Sequence, residues 1–127
     1  MVSLRENAIT LLSETNVDLS SATQTTIYTV PVGKRLVITE AVFVFDSSPN
    51  SSTITLGQSG ALTDFLPTQT LSNPTAQYDA VVMRHIDGTP NTPDVLKSYA
   101  AGTTIQVDVT AANGGATNTF YLFGFLY

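Results

Sequence analysis

RLVITEAVFVF, residues 35–45, is the longest strand pattern in the chain. β-Branched and aromatic residues alternate there between two faces, and both faces become mainly apolar toward Phe45. Apolar residues on both faces are typical of a central strand that is covered on both sides. The segment therefore predicts a β-protein that is built around it.

Further strand patterns lie on both sides of this segment. Each is short and is bounded by glycine, proline, serine or asparagine. The cleanest alternation places Ile105, Val107 and Val109 on one face, which predicts that they point inward. Seven or eight such strands predict an all-β fold, an antiparallel two-sheet β-sandwich that is jelly-roll-like or another Greek-key arrangement. The predicted strands are Gln24–Val30, Arg35–Phe45, Thr53–Leu56, Ala61–Leu66, Tyr78–Ile86, Thr103–Thr110 and Thr119–Tyr127.

Turn and loop patterns separate these strands. Pro31-Val32-Gly33-Lys34 predicts a turn, because proline fixes φ and glycine permits positive φ. Residues 46–52 and 87–94 predict exposed polar loops, and residues 67–77 predict a long loop. Asn113-Gly114-Gly115 predicts a β-hairpin between the last two strands.

The chain divides into an N-terminal arm, residues 1–16, and a sandwich domain, residues 17–127. Ser3 and Glu6 match a helix capping box, while Ile9-Thr10-Leu11 has a strand pattern. We therefore expect an extended arm with at most one helical turn. Because the arm carries apolar residues, it is expected to lie either on its own domain or on a neighbouring subunit.

Composition limits the classes of function. Only 12% of the 127 residues are charged, against about 25% in typical globular proteins, and 20 Thr, 11 Ser and 7 Asn carry the polarity instead. With a net charge of −5, the chain lacks the basic surface that a nucleic-acid binder needs, or a protein that attaches to anionic membranes. No apolar run approaches the roughly 20 residues of a membrane helix, and no signal peptide is recognisable. The sequence predicts a soluble chain that binds neither nucleic acid nor membrane.

No group of residues predicts a catalytic, cofactor or metal site. The absence of cysteine removes thiol chemistry, and His85, the single histidine, is interpreted as a structural or interfacial residue. Asp87, Asn91 and Asp94 match no EF-hand spacing and are common in turns without an ion. We therefore expect that the chain is not an enzyme and needs no cofactor.

The last eight residues, FYLFGFLY, are apolar on both faces. Phe120, Leu122 and Leu126 can complete the core of the domain. The other face would form an aromatic patch that needs a covering, which either the arm and loops or a second subunit could supply. The interface candidates, for an oligomer or for a capsid, are Leu4, Ile9, Leu11, Tyr121, Phe123, Phe125 and Tyr127.

One segment resembles part of a known class of proteins. Residues 26–39, TIYTVPVGKRLVIT, are similar to a tyrosine-threonine-valine-proline-x-glycine-lysine segment that precedes a β-rich strand in small β-sandwich virion proteins of tailed bacteriophages. The likeness is close over residues 17–45 and general elsewhere. It implies a non-enzymatic virion protein, foremost a capsid decoration (cement) protein that stabilises the outer capsid surface. It also implies assembly in the host cytoplasm, the major capsid protein as partner, and a homo-oligomer, foremost a trimer.

An alternative function is that of a head-fibre or tail-associated module that binds a carbohydrate receptor. Sugar binding usually needs exposed aromatic platforms, and Tyr78 and Tyr99 are the tyrosines that flank predicted loops. Copy number separates the two functions, because a decoration protein is expected in hundreds of copies per virion and a fibre module in tens or fewer.

Overall fold

The computed structural model describes residues 9–127 as two antiparallel β-sheets packed face to face, which confirms the predicted all-β sandwich. The five-stranded sheet has the order β1-β9-β3-β6, with β7 also paired to β3, and the four-stranded sheet has the order β2-β8-β4-β5. No helix that could cross a membrane occurs in this part of the chain. The strands are β1 (Thr10–Asn16), β2 (Gln24–Thr29), β3 (Leu36–Phe45), β4 (Thr53–Gln58), β5 (Ala61–Thr70), β6 (Ala80–Met83), β7 (Lys97–Tyr99), β8 (Thr104–Ala111) and β9 (Asn118–Leu126).

The hydrophobic core lies between the two sheets. Strand β8 contributes Ile105, Val107 and Val109, all at most 1% exposed, as the alternation predicts. Strand β9 contributes Phe120 and Leu122, which are fully buried. The core is therefore closed by alternate residues of regular strands from both sheets.

A bulge in β3 brings both apolar parts of this strand into the core. The register with β9 shifts between Ile38 and Glu40, so that Thr39 is the extra residue. Ile38 before the bulge and Ala41 and Phe43 after it are all fully buried. Simple alternation places Ile38 and Phe43 on opposite faces, and the bulge is the reason that this expectation is wrong.

Part of the expected N-terminal arm belongs to the sandwich. Residues 10–16 form β1, an edge strand that runs antiparallel to β9. Leu12 packs against the core, so this part of the arm lies on its own domain. The predicted helical turn at Ser3 and Glu6 lies outside the described residues.

The predicted hairpin at Asn113-Gly114-Gly115 is wrong. Strand β8 lies in the four-stranded sheet and β9 in the five-stranded sheet, so the segment between them crosses from one sheet to the other. A Cβ on Gly114 would lie 2.9 Å from Leu19 Cβ and 3.0 Å from Pro49 Cα. Close packing, and not positive φ, therefore explains the small residue at position 114.

Several other boundaries differ from the sequence pattern. Strand β5 continues through Pro67 to Thr70, which is possible because β5 is an edge strand. Strand β6 begins only at Ala80, since Tyr78 has a φ of 69° that interrupts the extended backbone. Strand β7 has three residues, too few to give a sequence pattern. The predicted turn before β3 is confirmed, with Gly33 at a φ of 76°.

The loop at residues 46–52 is less exposed than expected. Pro49 and Ser52 are both buried. The Ser52 hydroxyl donates to the Pro49 carbonyl (2.6 Å) and accepts the Asn113 amide (2.9 Å). The loop therefore packs against the crossing segment between β8 and β9 instead of extending into solvent.

Candidate functional site

The two outer surfaces of the sandwich differ in chemistry. The four-stranded sheet carries hydroxyl, amide and carboxylate groups there, which we call the polar outer face: Thr26, Thr53, Gln106, Asp108 and Thr110. The Gln106 amide donates to Thr26 Oγ1 (3.2 Å), and the hydroxyls of Thr53 and Thr110 are 2.6 Å apart. Four of these five side chains therefore bond to one another in pairs across neighbouring strands.

The five-stranded sheet carries a row of aromatic residues on its outer surface. Tyr121, Phe123 and Phe125 alternate along β9 with residues that point into the core, and each is half-buried. Tyr127 follows on the same side and is 53% exposed. The ring centroids of Phe125 and Tyr127 are 6.2 Å apart, so the aromatic row is continuous at this end.

Aliphatic residues on the neighbouring strands extend this row sideways. Leu11 lies opposite Phe123 and is 48% exposed, while Val82 at the other edge is 56% exposed. Val42 lies between Tyr121 and Val82 in the pairing of β9, β3 and β6. We call this surface the apolar outer face: Leu11, Val37, Val42, Val44, Val82, Tyr121, Phe123, Phe125 and Tyr127.

Among residues 9–127, four charged residues lie on or beside the apolar outer face, and their charges balance. Glu40 lies opposite Phe123 and accepts a hydrogen bond from Arg84 Nη2 at 3.3 Å. Glu14 lies opposite Tyr121, and Arg35 pairs with Tyr127 through the backbone. The chain as a whole has a net charge of −5. The excess of acid therefore lies on other surfaces of the molecule.

A small polar cluster marks one end of this face. Arg35 Nη2 donates to Ser98 Oγ at 3.3 Å, and Ser98 Oγ is 3.4 Å from the Tyr127 hydroxyl. The hydrogen bond with Ser98 and then the contact with Arg35 hold the pKa of Tyr127 below its ordinary value. The cluster gives the aromatic row a polar rim, as protein interfaces commonly have.

The structure brings most of the predicted interface residues together. Leu11, Tyr121, Phe123, Phe125 and Tyr127 lie on one surface. Ile9 directly precedes β1 and is 62% exposed, whereas Leu4 lies outside the described residues. The sequence reasoning missed Val42, Val82 and the Glu40–Arg84 pair, because membership of this surface depends on which strands are neighbours. The apolar outward positions of β3 were the one signal that could have suggested Val42.

His85 follows β6 of the five-stranded sheet and forms a hydrogen bond to the edge strand of the four-stranded sheet. Its Nδ1 donates to the Phe65 carbonyl oxygen at 2.7 Å, a role assigned because a carbonyl can only accept. Its Nε2 lies 3.7 Å from an Asp87 carboxylate oxygen, and the side chain is 19% exposed. Phe65 lies on edge strand β5, which has no neighbouring strand on one side. The hydrogen bond from His85 therefore satisfies the Phe65 carbonyl in place of a strand. This geometry is that of a structural histidine.

The acidic residues considered for a metal organise loops instead. Asp94 Oδ1 accepts the amides of Asp87 (3.0 Å) and Gly88 (2.6 Å), and Asp87 Oδ1 accepts the Val95 amide (2.8 Å). In residues 9–127 no three histidine or acidic side chains group closely enough to hold a metal ion. The two carboxylates therefore close the loop by bonding to its backbone.

Asp79 and Asp108 are two acids that lie in different parts of the sandwich. Asp79 precedes β6 of the five-stranded sheet and accepts the amides of Thr75 (2.8 Å) and Ala76 (2.9 Å). These two bonds lower the pKa of Asp79. Asp108 lies on β8 of the other sheet. The structure thus forms no carboxylate pair from these two residues.

A half-buried polar cluster ties the two sheets together at Tyr99. The Tyr99 hydroxyl donates to Asp64 Oδ1 at 3.0 Å, and Asp64 also accepts the Gln58 amide (3.1 Å) and side-chain Nε2 (2.8 Å). Burial, and then the charge of Asp64, raise the pKa of Tyr99. Tyr99 is 4% exposed and therefore cannot serve as a sugar platform, whereas Tyr78 is 74% exposed.

Comparison of the chain with protein-family models, curated proteins and solved structures found no match. The role of the apolar outer face therefore has to be inferred from its own residues.

Proposed function

We propose that this chain is a non-enzymatic structural protein of a tailed-phage virion, and specifically a capsid decoration protein that binds and stabilises the outer capsid surface. The observation that carries the proposal is the apolar outer face, which combines a row of half-buried aromatic residues with partly exposed Leu11 and Val82. A contiguous patch of this kind on one surface marks a protein contact and is not typical of a free surface.

The contrast between the two outer surfaces suits a protein that sits on an assembly. Aromatic residues are enriched at protein interfaces, and charged residues are depleted at their centre. The polar outer face carries Thr26, Gln106 and Thr110, whose side chains bond well to water. One surface is thus suited to a protein neighbour and the opposite one to solvent.

Strand order supports a jelly roll as the finer description of the fold. The chain alternates between sheets from β1 to β4, and the orders β1-β9-β3-β6 and β2-β8-β4-β5 are those of two interleaved Greek keys. Jelly rolls occur in viral capsid proteins and also in lectins, so this support for a virion role is an analogy at the level of the fold.

The proposed partners are the major capsid protein and further copies of this chain. The resemblance of residues 26–39 implies three copies and a location on the outer surface of the virion. The apolar outer face is the surface that we assign to protein contacts within this assembly.

The experiment that tests this function is performed on particles of the phage that encodes the chain. Quantitative mass spectrometry of purified virions should find the chain in hundreds of copies, in a fixed ratio to the major capsid protein. Particles assembled without it should lose their contents at a lower temperature, and added protein should restore their resistance. Absence from the particle would contradict the proposal, and a few copies confined to a fibre or tail would favour the receptor-binding alternative.

A surface variant localises the contact. Val82→Glu places a charge on the apolar outer face and should abolish binding to these particles. Thr26→Glu places the same charge on the polar outer face and should leave binding unchanged. Equal binding by both variants would contradict the assignment of the apolar outer face.

A further inference from the structure

We propose that the apolar outer face packs against the same face of a second copy of this chain, sheet on sheet, about a two-fold axis. This inference rests on the proposed function, because a role in an assembly requires a protein contact on this face. The inference names a second copy of the chain as that contact. It predicts two copies where the resemblance implies three. The capsid would then be bound through another surface that the pair presents twice, so that Val82→Glu abolishes stable particle binding by separating the two copies.

The shape of the apolar outer face fits a second β-sheet. Twisted sheets pack about 10 Å apart with their strands within about 30° of each other, through interleaved apolar side chains. The apolar outer face presents such side chains in columns on four adjacent strands, with Leu11, Phe123 and Val42 on three of them. A second copy offers a sheet of the same twist, so this packing needs no change in the backbone.

The size of the face is sufficient for a reversible dimer. Strands β1, β9, β3 and β6 have 7, 9, 10 and 4 residues, which at about 3.3 Å per residue and about 4.8 Å between strands give a projected area on the order of 480 Å². The accessible area is larger, because side chains protrude from the sheet. A standard interface buries about 800 Å² per partner, so contact over most of the two faces gives a small and reversible interface. We therefore expect a dissociation constant on the order of micromolar.

The charges on the face favour the same face as its partner. Glu40 lies beside Phe123, and Arg84 lies on the other side of Glu40, within the surface that would be covered. A purely apolar partner would remove water from this ion pair without compensation. About a two-fold axis that runs along β3, strand β9 of one chain lies over β6 of the other, and Glu40 of each chain lies beside Arg84 of the other. Since the charges on and beside the face balance, two chains of net charge −5 meet through neutral surfaces.

Two charge variants test this pairing. Glu40→Arg gives a face with two bases at this place, and Arg84→Glu gives a face with two acids. Each variant alone brings like charges together across the axis, and its self-association should weaken roughly a hundredfold. An equimolar mixture brings opposite charges together and should form one-to-one heterodimers. Native mass spectrometry and light scattering should find about twice the 13.5 kDa chain mass for the wild type and for the mixture, and the monomer mass for each variant alone.

The controls separate pairing from folding. The Glu40 and Arg84 side chains are 32% and 63% exposed, so circular dichroism should find both variants folded. Gln106→Arg and Gln106→Glu make the same charge changes on the polar outer face and should remain dimeric. The pairing would be overturned by a wild-type monomer at hundreds of micromolar, by a trimer mass, or by folded variants that do not combine on mixing. Particle binding is measured separately on virions, so the pairing and the decoration function can fail independently.

Discussion

At the scale of single residues, Gly124 determines how the five-stranded sheet is assembled. The bulge of β3 directly follows the pair of Ile38 with Gly124, and the bulge of β1 lies one pair further along β9, after Leu11 and Phe123. A Cβ at position 124 would run into the Val37 carbonyl oxygen and would lie 3.1 Å from Leu12 Cδ1. The missing side chain therefore allows the β3 backbone and the Leu12 side chain to approach β9 beside the place where the register shifts.

We predict that Gly124→Ala lowers the free energy of unfolding by about 1–3 kcal/mol, because the new methyl group meets backbone that cannot move freely. Urea denaturation measures the effect. Gly60→Ala is the matched control, since Gly60 has a φ of 87° and open space around it, so that only the backbone conformation is strained. A smaller loss of about 1 kcal/mol is expected there. A Gly124 variant as stable as the wild type would contradict the close approach.

The buried Tyr99 gives the protein a dependence on alkaline pH. Its pKa is raised in the folded protein above the ordinary value of 10.0, chiefly by burial and then by Asp64. A raised pKa stabilises the fold fully below pH 10, and this contribution is lost as the pH rises above that value, because the unfolded chain ionises first. We predict that Tyr99→Phe makes stability less dependent on pH in this range, at a cost of about 1 kcal/mol at neutral pH.

Chemical denaturation at several alkaline pH values measures the effect of Tyr99→Phe. Tyr78→Phe is the matched control, since Tyr78 is 74% exposed, and its profile should follow the wild type. A Tyr99→Phe profile as steep as that of the wild type would show that Tyr99 does not cause the alkaline loss of stability.

At the scale of elements, the regular strands could be predicted and the irregular ones could not. Strand β8 alternates without interruption within its own span, so its buried face follows directly from the sequence. Strand β3 contains a bulge at Thr39, which arises from its pairing with β9 and leaves no local pattern. Glycines such as Gly114 are ambiguous in sequence, since the same residue suits a turn or a close contact. The apolar outer face shares this limit, because Val42 and Val82 join the aromatic row only through strand order.

The loop between β6 and β7 depends on the backbone hydrogen bonds of Asp87 and Asp94. An asparagine Oδ1 can accept the same bonds, so we predict that the double variant Asp87→Asn, Asp94→Asn melts within a few degrees of the wild type. A chelator should have no effect. Asp94→Ala removes the acceptor and should speed proteolysis within residues 87–95, as limited digestion would measure. A melting temperature that fell by several degrees with chelator or with the asparagine variant would instead indicate a bound metal ion.

At the scale of the whole molecule, the two sides of β9 perform different tasks. Phe120 points inward and is fully buried, whereas Phe123 points outward and is half-buried. Both are phenylalanines on the same strand, within four residues of each other. The stability of the sandwich is therefore expected to depend on the first and its association with other chains on the second.

We predict that truncating Phe123 and Phe125 to alanine disrupts association or causes aggregation before it unfolds the sandwich. Burying one aromatic side chain contributes roughly 1.5–3 kcal/mol, so the two residues together supply a large part of the energy that holds subunits against the cost of association. Phe120→Ala is the opposite case, because it leaves a cavity in the core and should cost about 3–5 kcal/mol of folding stability. Light scattering should find the double variant dissociated or aggregated, with the far-UV circular dichroism of the wild type, whereas Phe120→Ala should lower the melting temperature. A wild-type protein that stays monomeric at micromolar and higher concentrations would mean that the apolar outer face is not covered by a second copy.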